Sequence, residues 1–213
     1  MADLLNAILV IVMILNFFAL GSSSILSVIR IAAAQGVLLA AMPLLIRGDL
    51  SLPVLLLAFV AAALKGFAIP AVMRHSLRSV RIKREVEPRI GLMASVLIGA
   101  AATGAAVLLS SRIRTVGMES GSLIVATSIA TVLAGFIILT TRYKALTQVI
   151  GYLILENGIY VFGLLLVDAM PFVIEMGVLL DLFVGIFVIS IITNRINEAF
   201  SSMDTRRLVS LKE

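Results

Sequence analysis

The sequence predicts an all-α, polytopic membrane protein, on three observations: an apolar composition, apolar runs of about 20 residues recurring from end to end, and short charged joints between them. Of its 213 residues, 61% are hydrophobic and 14% charged. A mean hydropathy of +1.17 lies far above that of a chain that must present a polar surface to water. No stretch is polar enough and long enough to form a separate soluble unit, so the chain reads as a single membrane domain.

Seven spans follow, at about 4–21, 25–46, 53–73, 90–110, 121–141, 146–167 and 172–193. The first begins just after Asp3 and ends at Gly21 and the serines 22–24, which suit a turn. It has no basic segment before it and no clear cleavage site after it, so it is expected to be retained. The second ends at Gly48-Asp49, and the third is led by Pro53 and runs to Arg74. The sequence RHSLRSVRIKREVEPR, residues 74–89, separates it from the fourth. Residues 112–120 lead to the fifth, Arg142-Tyr143-Lys144 to the sixth, and residues 168–171, closing on Pro171, to the seventh.

Charge orients the spans. With an odd number of spans, residues 74–89, Arg142, Lys144 and a tail with Arg195, Arg206, Arg207 and Lys212 share one side, which holds twelve of the seventeen Lys and Arg residues. The positive-inside rule then places the N-terminus outside and the C-terminus, with its tail 196–213, in the cytoplasm. The net charge of +5 is thus a record of topology. Because the basic residues flank spans and do not form one surface interleaved with aromatics, nucleic acid is not an expected partner. Cysteine is absent and the one histidine, His75, falls in the charged joint, so the chain offers no ligand set for a metal or redox centre of its own.

Small residues at four-residue spacing, Gly91, Ser95, Gly99 and Thr103 in the fourth span and Ala126, Ala130 and Ala134 in the fifth, are expected to mark faces where helices approach closely. Five ionisable residues fall inside spans: Arg30, Lys65, Glu156, Glu175 and Asp181. At ~1.5 Å per residue, Glu156 lies about 18 Å along its helix from Lys144, Asp181 about 15 Å from Pro171 and Lys65 about 18 Å from Pro53. These depths are near the middle of a core ~30 Å thick. By the same rise Glu175 is only about 6 Å past Pro171, and Arg30 is close enough to its span's start to snorkel. Each central charge opposes insertion by roughly 2.5–3.5 kcal/mol, so a use or a partner is required. One account is an ion pair, Lys65 with Glu156 or with Asp181, that only holds helices together. Two acids against one lysine leave a carboxyl over, and such a group can exchange a proton. Tyr152 and Tyr160, one turn either side of Glu156, and the adjacent Asn157 would extend a hydrogen-bonded path. Gly177 and Gly185 flank Asp181 at i−4 and i+4 and leave room beside it.

A faint repeat accompanies these residues. Val28-Ile29 followed by Gln35-Gly36 aligns with Val149-Ile150 followed by Glu156-Asn157, and a proline-led span follows each, with Lys65 or Asp181 at its centre. The plan is three helices, a linker helix and three more in the same orientation, in which Gln35 and Lys65 are the counterparts of Glu156 and Asp181.

The runs QVIGYLILENGIYVFGLLL, residues 148–166, and MGVLLDLFVGIFVISII, residues 176–192, resemble the membrane subunit called hydrogenase-4 component E of hydrogenase and formate hydrogenlyase complexes, and the resemblance extends over the whole chain. The last three helices, within residues 121–195, more distantly resemble the K subunit of respiratory complex I and the C subunit of Mrp-type cation/proton antiporters. Residues 1–110 then form a four-helix N-terminal part. In the K subunit the second and third helices each carry a membrane-embedded glutamate of a polar axis. Glu156 matches the first; Asp181 matches the second by position, as aspartate in place of glutamate, with Glu175 as a competitor.

The resemblance implies a connecting subunit in a bacterial or archaeal cytoplasmic membrane. Its partners would be antiporter-like membrane subunits, a membrane anchor subunit and a soluble hydrogenase arm, which holds the nickel-iron centre and iron-sulfur clusters. The relay residues would be Glu156, Asp181, Lys65 and Glu175, supported by Tyr152, Tyr160, Asn157 and Gln35, and the chain alone would catalyse nothing. Two other readings stand beside it: an autonomous transporter of a cation or small metabolite, and a structural linker. A transporter is expected to interrupt its helices near the midplane, and in the sequence Pro43 and Pro70 lie towards span ends.

Overall fold

The computed structural model describes residues 2–47, 52–79, 86–112 and 121–166. The helices are α1 (Ala2–Gly21), α2 (Ile25–Arg47), α3 (Leu52–Ala63), a π-helical turn (Leu64–Ala68), α4 (Ile69–Ser79), α5 (Leu92–Ser110), α6 (Gly121–Thr141) and α7 (Ala145–Gly163), which closes in a 3-10 turn (Leu164–Leu166). Five of them, α1, α2, α5, α6 and α7, are long and apolar enough to cross a membrane, and they coincide with the first, second, fourth, fifth and sixth expected spans. The third expected span is a single helical path that the π turn divides. The seventh, with Glu175 and Asp181, lies outside the described residues, as does the tail.

The outer surface of the bundle is apolar. Phe59 and Phe67 are each 72% exposed, Met93 73% and Leu108 71%, which in water would be a liability and in lipid is the expected coat. The helices satisfy their own backbone groups, as a spanning segment must.

Helices α1, α2, α6 and α7 form the centre: α1 packs on α2 and α6, and α7 on α6 and α2. The α6–α7 contact is the most intimate, because glycines remove the side chains that would hold the backbones apart. A Cβ at Gly151 would sit 2.7 Å from the Leu139 amide nitrogen, and one at Gly135 would collide with the backbone of Leu155. The alanine stripe Ala126, Ala130 and Ala134 is buried on α6. On α5 the stripe is only partly used: Ser95 and Gly99 are buried, while Gly91 is exposed.

Segment 86–89 forms a strap over one end of this bundle. The Val86 amide donates to Ser23 O (2.7 Å), the Arg89 amide to Thr141 O (2.7 Å) and the Tyr143 amide to Glu87 O (3.0 Å). It therefore joins the α1–α2 joint to the α6–α7 joint, and Lys144 Nζ reinforces it at 3.1 Å from Glu87 Oε1. Beneath it Arg142, 1% exposed, donates to Leu20 O (2.8 Å) and Ser95 Oγ (3.2 Å), a cation set against the C-terminal end of α1. Burial lowers the pKa of this guanidinium.

Among the described residues the interior has two apolar clusters. One, at the strap end, includes Leu20, Ile25, Ile29, Ile69, Met73, Ile138, Ile150 and Ile154. The other, at the far end, includes Leu5, Leu9, Val12, Leu39, Met42, Ile124, Val161 and Leu164. Buried polar side chains, among them Asn16, Gln35, Thr131, Glu156 and Asn157, fall along the helices between these two sets.

Candidate functional site

Lys65 stands in the π turn, and the cause of that turn is five residues on. Pro70 has no amide hydrogen and its ring crowds the carbonyl one turn earlier, so the ordinary helical ladder cannot pass this point. The chain takes a wider turn, in which the Ile69 amide donates to Leu64 O, five residues back. Pro70, placed towards a span end in the sequence, thus acts deeper in the span, at the π turn that holds Lys65. Two glycines admit the turn against α2: a Cβ at Gly36 would lie 2.6 Å from Lys65 Cβ, and one at Gly66 2.5 Å from Val37 Cγ2.

The Lys65 stem lies over Gly36 and its ammonium reaches α7. Nζ is 3.6 Å from Glu156 Oε1, donates to Asn157 Oδ1 at 3.2 Å and sits 5.3 Å from the centroid of the Tyr160 ring. Glu156 is 4% exposed, and its Oε1 accepts no hydrogen bond. At 3.6 Å and an effective dielectric constant near 20, the attraction is about 4–5 kcal/mol. Insertion of the two charges costs roughly 5–7 kcal/mol. The Asn157 hydrogen bond and the cation–π contact add to the attraction and offset part of that cost. The cluster can therefore exist without being a strong source of stability.

A pocket of about 20 Å³ adjoins the pair, lined by Lys65, Glu156 and Asn157 and by apolar side chains of α2, α4 and α7. That is room for one water molecule with two to four polar partners.

A second polar cluster joins α1, α2 and α6. Gln35 Nε2 donates to Asn16 Oδ1 (2.8 Å) and Val12 O (3.4 Å), and Asn16 Nδ2 donates to Thr131 Oγ1 (2.9 Å). All three side chains are buried, and Gln35 Oε1 has no partner.

Of the residues singled out in the sequence, the fold brings together Lys65, Glu156, Asn157 and Tyr160. Gln35 belongs instead to the neighbouring cluster, although the next residue, Gly36, touches Lys65. Tyr152 is 38% exposed, while the Tyr160 ring meets the ammonium, because a helix turns its i−4 and i+4 neighbours about 40° to opposite sides of the residue between them. Arg30 is exposed, as a snorkelling residue should be. Glu175 and Asp181 lie outside the described residues. Asn16, Thr131 and Arg142 were not anticipated; the signal for the first was an amide in an otherwise apolar run.

The chain is 31% identical over 192 residues to the uncharacterized protein Rv0085 of Mycobacterium tuberculosis, an alignment that covers 88% of this chain and 86% of that protein. No protein-family model matches, and no solved structure gives a significant match.

Proposed function

The chain belongs to the same family as the mycobacterial protein Rv0085, and on the resemblance carried by residues 148–166 and 176–192 we propose that it is a connecting subunit of a proton-translocating membrane arm of the hydrogenase-4 type. In this reading it spans a bacterial cytoplasmic membrane seven times with the N-terminus outside, and the strap end of the bundle faces the cytoplasm. Lys65 and Glu156 are links in a lateral string of protonatable groups, continued by Asp181 or Glu175 and by antiporter-like neighbours. A soluble nickel-iron hydrogenase arm with iron-sulfur clusters, joined through a membrane anchor subunit, supplies the redox energy.

The observation that carries this reading is the buried Lys65–Glu156 pair, 3.6 Å apart, beside room for water. A buried carboxyl with a cation at 3.6 Å, an oxygen that accepts no hydrogen bond and room for water beside it can hold or release a proton when a charge changes nearby. Glu156→Gln should insert and assemble normally, lower proton translocation in inside-out vesicles and leave hydrogenase turnover with a soluble dye intact. Unchanged pumping would remove Glu156 from the path. Partner identity is tested by tagging the C-terminus, extracting in mild detergent and identifying what co-purifies. Antiporter-like subunits and a nickel-iron hydrogenase are the expected companions.

One observation favours a second reading, an autonomous secondary transporter. The third span is interrupted at Lys65, and broken helices at mid-depth are how transporters build ion and substrate sites. Purification of the chain alone as a stable, transport-competent unit would select this reading.

A further inference from the structure

The Lys65–Glu156 pair has different surroundings on its two sides along the bundle axis. Toward the far end, the Tyr160 ring covers the ammonium and packs against the apolar cluster of Leu9, Val12, Leu39, Met42 and Val161. Toward the strap, the pair meets the pocket. Among the described residues, the apolar side chains lining that pocket lie on the strap side of the pair: Ile29, Ala32 and Ala33 on α2, Ile69, Pro70 and Met73 on α4, and Leu153 on α7. At ~1.5 Å per residue, these α2 residues are about 6–12 Å from the start of the helix, and Gly36, beside Lys65, is about 16 Å from it. The pocket therefore occupies the stretch between the pair and the strap end. Two of its wall residues are alanines, which leave space where larger apolar residues would fill it.

We propose that the pair is hydrated from the strap end only, by water held in this pocket, and that this is the side from which Glu156 exchanges protons. Two independent features converge on water as the occupant. The volume of about 20 Å³ suits one molecule. Glu156, which lines it, has a buried carboxylate oxygen with no hydrogen-bond donor, and a water can donate to that oxygen while accepting from a neighbour. On the far side the described residues beside the pair are the Tyr160 ring and the second apolar cluster. The proposal deepens the reading of the pair as a proton-exchanging group and does not depend on which subunits surround it.

The test compares two methionines in the native chain, held in its own membrane. Met73 and Met42 are 1% and 0% exposed, but Met73 lines the pocket and Met42 sits in the far apolar cluster. Hydroxyl radicals generated by X-ray radiolysis of bound water should oxidise Met73 several-fold faster than Met42; equal rates would overturn the hydrated pocket. Sidedness is read with Ala33→Cys, in a chain that has no cysteine of its own. Silver ion added to vesicles should block later maleimide labelling only when applied at the strap side. Protection from the opposite side alone, or from neither, would overturn the one-sided route. Fast oxidation of Met73 in a chain that co-purifies with no antiporter-like subunit would remove the complex and leave the hydrated pair. Recovery of the complex with Met73 as inert as Met42 would do the reverse.

Discussion

Two polar clusters lie within the same bundle, between the same two apolar sets, yet they are built differently. Asn16, Gln35 and Thr131 are neutral and linked by short hydrogen bonds of 2.8 and 2.9 Å. Lys65 and Glu156 are charged, 3.6 Å apart, held on a distorted turn and bordered by a pocket. The neutral cluster resembles the hydrogen-bonded glue of membrane helices, where each bond contributes well under 2 kcal/mol. The charged cluster is a poor adhesive, since the cost of bringing its charges into lipid uses up most of their attraction. Room for water beside the pair is what suits it to changing its charge state.

The largest expected effect that separates the two clusters is Lys65→Met, which strips Glu156 of its cation and should destabilise the bundle by about 3–5 kcal/mol. Adding Glu156→Met should restore much of that loss, and denaturant titration in mixed micelles measures both. Additive losses would show that the two residues do not act as a pair. Gly36→Leu comes next: it drives a side chain into the Lys65 stem and should cost about 1–3 kcal/mol by overpacking, with proton translocation falling alongside. Asn16→Leu, in the neutral cluster, should cost on the order of 1 kcal/mol and leave translocation unchanged in vesicles. If it abolishes pumping, the neutral cluster is part of the path and the contrast fails. Smallest of all is Tyr152→Phe, which should stay within about 0.5 kcal/mol of the parent and preserve activity, because Tyr152 faces outward.

Five helices were legible in the sequence because length and apolarity are properties of a segment by itself. So was Glu156, since an acid in the middle of an apolar run needs no neighbour to be noticed. The partners were less legible. Periodicity placed Tyr152 and Tyr160 alike, one turn either side of Glu156, and only the direction from which Lys65 arrives tells them apart. Pro70 was visible but was placed by its distance from the span end. Its effect travels back along the helix to Lys65, because the carbonyl it crowds and the hydrogen bond it forfeits belong to the preceding turn. Asn16 and Thr131 were passed over, as a single amide or hydroxyl in a helix acquires meaning only when another helix brings it a partner.

By itself the sequence determined that this protein is a bundle of membrane helices with charges at mid-depth, because solvent preference and insertion cost are set residue by residue. The tertiary structure decided which charges meet, on which side of the pair space remains for water, and that one strap ties the two hairpin joints together. Those outcomes depend on how helices distant in sequence are rotated and how closely they approach. Here the π turn sets the first at Lys65, and glycines at positions 36, 135 and 151 set the second.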